Sequence, residues 1–313
     1  MTHAEAVKVI EYYARMARQY DESYDDVWWK TLYDGLTWAH IRPCLPARGL
    51  VLDAGGGTGK WSIRMAEEKS AIFIVLLDIS REMLAVAREK LLRERLAGRV
   101  WLVEADICAM PFRPEVFDFA LAEGDPISYC DDPRRAVEEL FRVLKPGSYA
   151  QAGVDSLFAI VRRLMHEGRI DEAEQVLREG RFTSSLEGFR WWVFTPRSLR
   201  ELFEEAGFEV IKISGKLVLS PPSEKLRKAL GDEEKARKAL ELELSACDDP
   251  SIAGAGGHLH MVARKPPALA LAGAPPTSSP AASAASHTRP PACSACAPSD
   301  PGKRQSARPR SSA

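Results

Sequence analysis

The sequence has no apolar run of about 18 residues, the length that a membrane-spanning helix needs. Its first residues also lack the basic start and apolar centre of a secretion signal, because Glu5, Lys8 and Glu11 are spread through them. These two absences predict a chain with no membrane span, located in the cytoplasm.

An excess of charge of either sign is missing as well. The 313 residues include 43 basic and 44 acidic side chains, which leaves a formal net charge of −1. Proteins that bind nucleic acids or acidic membranes through their overall field are much more basic. The composition therefore argues against a nucleic-acid partner.

Cysteine is scarce, with six residues spread along the chain, which favours free thiols over a disulfide framework. Cys293 and Cys296 have the spacing of a metal-binding pair, but no second pair accompanies them, so we predict no metal there. They lie in residues 266–313, which are dominated by alanine, proline and serine and are predicted to be disordered.

Short apolar runs alternate with amphipathic stretches through the rest of the chain, a rhythm typical of a parallel α/β sheet. The last run is expected to return antiparallel. We predict an α/β, Rossmann-like doubly wound sheet of about seven strands, mostly parallel, with helices on both faces. The seven runs are Leu50–Asp53, Ile72–Leu77, Val100–Val103, Phe117–Ala122, Tyr149–Val154, Phe208–Ile213 and His258–Ala263.

Helical patterns surround and interrupt these runs. Apolar residues at spacings of three and four predict a helix over Ala4–Tyr20, and a second, aromatic-rich helix follows over Trp28–Trp38. A helical insertion over residues 155–195 follows the fifth strand, and a charged helix is predicted from Ser223 to Leu244. The predicted helices of the insertion are Leu157–His166 and Asp171–Glu179.

The most specific local signal is a glycine loop between the first strand and a helix. Asp53 is followed by Gly55, Gly57 and Gly59, and the helix opens near Lys60. Glycines allow close approach of backbone to a ligand, and a helix start attracts an anionic group. The third glycine of the dinucleotide motif G-x-G-x-x-G is absent, so the loop indicates a nucleotide-like ligand other than a dinucleotide.

Two further acidic residues end neighbouring strands. Asp78 follows the second strand, where an open α/β sheet places a carboxylate beside the ribose of a bound nucleoside. Asp106 follows the third strand within the sequence Glu104-Ala105-Asp106-Ile107. Because dehydrogenases also carry an acid at the position of Asp78, that residue alone does not identify the cofactor.

Together with Leu144-Lys145-Pro146-Gly147, these motifs resemble those of class I S-adenosylmethionine-dependent methyltransferases. The chain is most similar to the small-molecule group that includes ubiquinone and menaquinone methyltransferases. The resemblance implies residues 46–265 as the methyltransferase domain, with residues 1–45 closing over the cofactor and the insertion acting as a lid. It implies S-adenosylmethionine as the cofactor, contacted by Tyr20, Asp53, Gly55, Gly57, Gly59, Asp78, Ile79, Asp106, Ile107 and Glu123.

Within that resemblance the glycine loop and Asp53 hold the methionine end, Asp78 the ribose, and Asp106 with Ile107 the adenine. Methyl transfer mainly requires positioning and exclusion of water, so a dedicated base is optional. Glu123, Tyr129 and His166 are the candidate proton acceptors, because they lie near the predicted crevice or its lid.

Several alternatives stay open. The tyrosines near Tyr20 and the aromatic stretch around Trp191 fit either a ligand pocket or packing in the core. His258 and His260 face the same side of the last strand, but strand packing explains them, and we predict no metal. The acceptor is expected to be a small molecule. An NAD(P)-linked oxidoreductase and a non-catalytic S-adenosylmethionine-binding protein are the competing functions.

Overall fold

The computed structural model describes residues 3–184 and 187–267, with side chains from residue 7 onward. The segment beyond residue 267, including Cys293 and Cys296, lies outside the described residues. Its disorder therefore stays a prediction. The cysteines within the described residues, Cys44, Cys108, Cys130 and Cys247, are free thiols. None of the described helices combines the length and apolar character needed to cross a bilayer.

A seven-stranded sheet organises the chain and confirms the predicted strands. Its strands are β1 (Gly49–Ala54), β2 (Ile72–Asp78), β3 (Val100–Glu104), β4 (Phe117–Ala122), β5 (Leu144–Asp155), β8 (Glu209–Lys216) and β9 (His258–Arg264). Their spatial order is β3-β2-β1-β4-β5-β9-β8. As predicted, β9 is antiparallel, and it pairs with both β5 and β8. The other pairs in the sheet are parallel.

The strand order reverses next to β1. The chain moves outward from β1 through β2 to β3 and then returns to place β4 on the other side of β1. In open α/β sheets a crevice forms at the carboxyl ends of the strands where this reversal occurs. The topology therefore predicts the ligand site at the ends of β1 and β4.

Helices cover both faces of the sheet, as predicted. They are α1 (His3–Met16), α2 (Tyr20–Ser23), α3 (Asp34–Ile41), α4 (Lys60–Glu68), α5 (Arg81–Arg93), α6 (Pro126–Tyr129), α7 (Pro133–Val143), α8 (Leu157–His166), α9 (Ile170–Glu179), α10 (Pro196–Glu205), α11 (Glu224–Leu230) and α12 (Glu233–Ala246). One π-helix (Trp29–Tyr33) and two 3₁₀ turns (Arg42–Cys44 and Ala253–Ala255) complete the described helical elements.

Alternation along the strands divides the core between the two faces. In β4, Ala120 and Ala122 face a cluster formed with α7 and α10, whereas Phe119 and Leu121 face a cluster formed with α4 and α5. Successive side chains of a strand point to opposite faces, so a strand buried on both faces reads as a continuous apolar run. That is why β4 was recognisable from sequence.

The N-terminal segment departs from the prediction. The first helix ends at Met16 rather than Tyr20, and a π-helix leads into α3 where one regular helix was expected. The turn before it is fixed by Asp26, whose Oδ1 accepts the backbone N–H of Trp28 at 2.8 Å. Trp28, Leu32 and their neighbours pack against α11 and α12, so contacts distant in sequence determine the local helix geometry.

The predicted charged helix is divided into two helices. Gly231 and Asp232 interrupt it, and the side chain of Asp232 caps α12 by accepting the backbone N–H of Lys235 at 2.9 Å. Aspartate at a helix N-cap satisfies a donor that otherwise has no partner in the helix. The Gly-Asp pair was the signal for this break.

The insertion contains the two predicted helices and a hairpin that the sequence did not indicate. Its short strands, β6 (Arg181–Thr183) and β7 (Arg190–Trp192), pair antiparallel. Strands of three residues are too short to show an alternating pattern. Trp191 packs in a buried cluster with Val9 of α1, which supports the packing interpretation of this aromatic stretch.

Candidate functional site

A cavity of about 540 Å³ opens at the carboxyl ends of β1, β2 and β4. The glycine loop, the turns after β2 and β3 and the N-terminal segment line it. This is the crevice that the reversal of strand order predicts, and its size suits a small ligand.

The glycine loop forms one wall and needs glycine for its shape. Gly55 and Gly57 line the cavity with φ angles of 75° and 53°, in the left-handed region. A Cβ atom on Gly55 would stand 2.4 Å from Cβ of Pro126. Gly59 lies behind the wall, at the N-cap of α4. Backbone rather than side chain therefore faces the ligand here.

Asp78 connects the glycine loop to the end of β2. Its Oδ2 accepts the Gly57 N–H and its Oδ1 accepts the Ser80 N–H, both at 2.8 Å. Burial raises the pKa of Asp78, although the two N–H bonds oppose the rise. The carboxylate is fixed in orientation at the cavity wall, beside the half-exposed Ile79.

The turn after β3 supplies the next part of the wall. Asp106 and Ile107 line the cavity, and Asp106 Oδ1 accepts the Cys108 N–H at 2.8 Å. The Ala105 N–H donates to the carbonyl oxygen of Asp78 at 3.1 Å. This bond ties the turns after β2 and β3 together, so Asp78 and Asp106 act as one rigid wall.

Glu123, at the end of β4, is held in a buried charged cluster. It forms an ion pair with Lys216, its Oε1 accepts the Tyr33 hydroxyl at 3.1 Å, and its Oε2 lies 3.2 Å from His260 Nδ1. Burial alone would raise the pKa of Glu123, but Lys216 and His260 outweigh it and hold the pKa well below its usual range. Such a carboxylate is a weak proton acceptor.

A second cluster closes the same end of the cavity. His258 Nε2 lies 3.3 Å from Asp125 Oδ2 and 3.7 Å from Asp155 Oδ1. Asp125 and His258 line the cavity, and Asp155 stands behind them. The tyrosines of the N-terminal segment, among them Tyr20, face this cluster across the cavity.

Residues 51–147 match a family model described as a methyltransferase domain. The chain is 37% identical over 105 residues to demethylmenaquinone methyltransferase of Lactiplantibacillus plantarum, covering 33% of this chain and 44% of that protein. It is 40% identical over 105 residues to a ubiquinone/menaquinone biosynthesis C-methyltransferase of Vibrio vulnificus, covering 31% and 37%. The chain thus spans less than half the length of these two enzymes.

A longer match reaches beyond that domain. An uncharacterized protein of Methanocaldococcus jannaschii is 25% identical over 232 residues, covering 71% of this chain and 85% of that protein. A solved structure of an S-adenosylmethionine-dependent methyltransferase of Thermotoga maritima, described as a possible histamine N-methyltransferase, superposes with a TM-score of 0.52 at 20% identity, over 82% of this chain and 99% of the other. The latter similarity concerns the fold alone.

Residues 51–147 therefore contain a methyltransferase domain. The match over residues 51–147 contains the glycine loop, Asp78, Asp106 and the turn at Pro146, the residues on which the resemblance was based. No comparison supports an oxidoreductase.

Most predicted site residues reach the cavity. Those that line it are Tyr20, Gly55, Gly57, Asp78, Ile79, Asp106, Ile107, Glu123 and Tyr129. Burial raises the pKa of the Tyr129 phenol well above its usual range, so this hydroxyl stays protonated at neutral pH. Tyr129 is therefore suited to donate a hydrogen bond rather than to accept a proton.

Besides Gly59, two predicted site residues take positions outside the cavity wall. Asp53 is fully buried under the glycine loop, where its Oδ2 accepts the Ser62 hydroxyl at 2.6 Å. Burial raises its pKa to about 7. The loop backbone at Gly56 covers this carboxyl, so Asp53 supports the loop rather than facing the ligand. His166 ends α8 as an exposed residue outside the cavity, and is not positioned to accept a proton there.

Several residues of the site have no clear signal in the sequence. Lys216 ends β8 and reaches Glu123 from 93 positions away. Asp125 lies in the turn after β4, and no local pattern indicates its pairing with His258. The shared side of His258 and His260 was the available signal, because each histidine approaches a different carboxylate of this turn.

Proposed function

We propose that this chain transfers a methyl group from S-adenosylmethionine to a small-molecule acceptor. The observation that carries the proposal is that the glycine loop, Asp78 and the Asp106–Ile107 turn form one continuous wall of one cavity. The curated relatives named as methyltransferases support it, although the chain spans only part of their length.

The residues of this wall fit S-adenosylmethionine. Each carboxylate oxygen of Asp78 accepts one backbone N–H, and a carboxylate offers about four acceptor positions in all, so both oxygens retain a position for a ribose hydroxyl. Asp106 would accept from the adenine amino group, with Ile107 against the ring. Gly55 and Gly57 line the cavity with backbone, which allows the methionine portion to approach the loop closely.

S-adenosylmethionine supplies an electrophilic methyl group, and the residues of the chain position the acceptor and exclude water around it. The N-terminal segment does this with aromatic side chains, including Tyr13, Tyr20 and Trp29, which line the side of the cavity facing the glycine loop. Glu123 is ionised and fully paired, so its proposed role is to anchor Lys216 and Tyr33 rather than to take a proton.

The acceptor is proposed to be a small molecule because the cavity, lined in part by the N-terminal segment, has a volume of about 540 Å³. Two relatives are named for menaquinone or ubiquinone biosynthesis, so a quinol belongs in any substrate screen. A cytoplasmic location is proposed from the free thiols of the described residues, which are typical of a reducing compartment.

Transfer of an isotope-labelled methyl group tests the activity. The purified protein is incubated with labelled S-adenosylmethionine and separate sets of quinols, phenols and amines. We expect label in at least one set and none in a parallel reaction with the Asp78→Ala variant. Binding of S-adenosylmethionine without transfer to any set would favour the non-catalytic binding protein.

A further inference from the structure

The cavity has one strongly acidic end that the cofactor assignment does not use. It is formed by Asp125, with His258 beside it and Asp155 behind. Asp125 adopts a left-handed backbone conformation, with φ of 67°, immediately after Gly124. The turn after β4 thus directs a carboxylate to this end of the cavity.

Each of the two residues that line this end has a polar atom without a hydrogen-bond partner among the described residues. Asp125 is only 6% exposed, and its Oδ1 has no hydrogen-bond partner within the described residues. The same holds for Nδ1 of His258. A buried acceptor without a donor is energetically unfavourable, so a site that retains one is suited to a ligand that brings the donor.

Several other acidic side chains that line the cavity have a cationic partner of their own. Asp21, Asp34 and Glu123 are each paired with a lysine. Asp125 and Asp155, in contrast, share a single imidazole.

The pKa values of Asp155 and His258 are consistent with an excess of negative charge at this end. Burial raises the pKa of Asp155 to about 7, and the charge of Asp125 adds to the rise. Burial would lower the pKa of His258, but Asp125 outweighs burial and raises it. A protonated His258 with two ionised carboxylates carries one net negative charge. Arg163 also lowers the pKa of Asp155, but it is not paired with either carboxylate, and a bound cation would balance the charge.

Several aromatic side chains line the same cavity as Asp125. Burial raises the pKa of five of them, and the charge of Asp125 adds to the rise: Tyr13, Tyr20, Tyr24, Tyr33 and Tyr129. The Tyr33 ring lies 5.1 Å from the His258 ring. Aromatic faces attract organic cations, more strongly where water is excluded.

The donor atoms of Asp125, Asp155 and His258 lie within 4.8 Å of one another, a spacing that would also suit a metal ion. A metal-binding histidine almost always donates its second ring N–H to a partner. His258 Nδ1 has no such partner within the described chain. The aromatic surroundings also favour an organic cation over a hydrated metal.

We propose that the methyl acceptor carries an amine, and that its ammonium form binds at this end with Asp125 Oδ1 accepting its N–H. The ammonium group positions the acceptor and is not the atom that receives the methyl group, because a protonated nitrogen has no lone pair to attack it. The inference rests on the proposed function and specifies the acceptor class for the same cavity. A positive group of the cofactor is the competing occupant of the same carboxylate.

Benzylamine and benzyl alcohol are suitable probes, because they differ little in size but only the amine is a cation at neutral pH. Each is titrated calorimetrically into the protein with and without saturating S-adenosylhomocysteine. The same titrations are made on Asp125→Asn and on Asp25→Asn, a matched control whose carboxylate lines the cavity but is already paired with Lys30. Thermal unfolding establishes that both variants fold.

We expect benzylamine to bind the wild-type protein at least roughly tenfold more tightly than benzyl alcohol, as a desolvated cation site would provide. Asp125→Asn should abolish the preference, and Asp25→Asn should retain it. If Asp125→Asn does not fold, the affinities of the wild-type protein for benzylamine and benzyl alcohol alone test the proposal.

Equal binding of the two probes by the wild-type protein would overturn the proposal. So would an Asp125→Asn variant that retains the amine preference, or one that loses affinity for S-adenosylmethionine instead. Failure of S-adenosylhomocysteine to bind would contradict the proposed function separately, because the amine preference is also measured on the unliganded protein.

Discussion

Replacing Lys216 with methionine is expected to lower the free energy of unfolding by about 3–5 kcal/mol, the usual effect of removing one partner from a buried ion pair. Lys216 is fully buried, pairs with Glu123 and lies 4.0 Å from the centre of the Tyr33 ring. Methionine approximates the length of the aliphatic chain but leaves Glu123 charged in the interior. The remaining neighbours, His260 and Tyr33, only partly compensate.

Urea denaturation of wild type and variant measures this loss as a shift in the midpoint. Lys238→Met is the matched control, since Lys238 pairs with Glu234 on the exposed surface of α12 and should contribute about 0.5 kcal/mol or less. The double variant Glu123→Gln with Lys216→Met should recover part of the loss, because neither charge is then buried alone. A loss for Lys216→Met no larger than the control would contradict the account of this cluster.

Replacing Asp78 with alanine is expected to weaken S-adenosylhomocysteine binding by about 3 kcal/mol, roughly 100-fold. Two causes combine. The variant removes the acceptor proposed for the ribose hydroxyls, and it releases the backbone N–H groups of Gly57 and Ser80. Release of Gly57 should also loosen the glycine loop on which the methionine portion rests.

Calorimetric titration of the variant with S-adenosylhomocysteine measures the effect. Glu104→Ala provides the control, because Glu104 lies opposite Asp78 in the β2–β3 register but pairs with Arg81 and does not line the cavity. Its affinity should equal that of wild type. Unchanged affinity in Asp78→Ala, or an equal loss in both variants, would remove Asp78 from the site.

The strands could be predicted because their signal is local. Buried parallel strands such as β2 appear as continuous apolar runs, and each is closed by a turn with its own residue preferences. The positions of the glycine loop, Asp78 and Asp106 follow from the same rule, since each ends a strand whose carboxyl end lies at one edge of the sheet.

The remaining features of the site depend on contacts between residues distant in sequence, which no local pattern encodes. The pairing of Glu123 with Lys216 and His260 joins residues 93 and 137 positions apart. The position of Asp53 under the glycine loop depends on how the backbone at Gly56 folds over it. His166 was assigned to the site because its helix was expected to cover the cavity, whereas the insertion packs against α1 with that end exposed.

The central claim is that the cavity at the ends of β1, β2 and β4 binds S-adenosylmethionine. Calorimetric titration of the wild-type protein with S-adenosylhomocysteine, and separately with NADH, tests it most directly. The account predicts micromolar binding of S-adenosylhomocysteine and no binding of NADH. Binding of NADH alone, or of neither ligand, would contradict it.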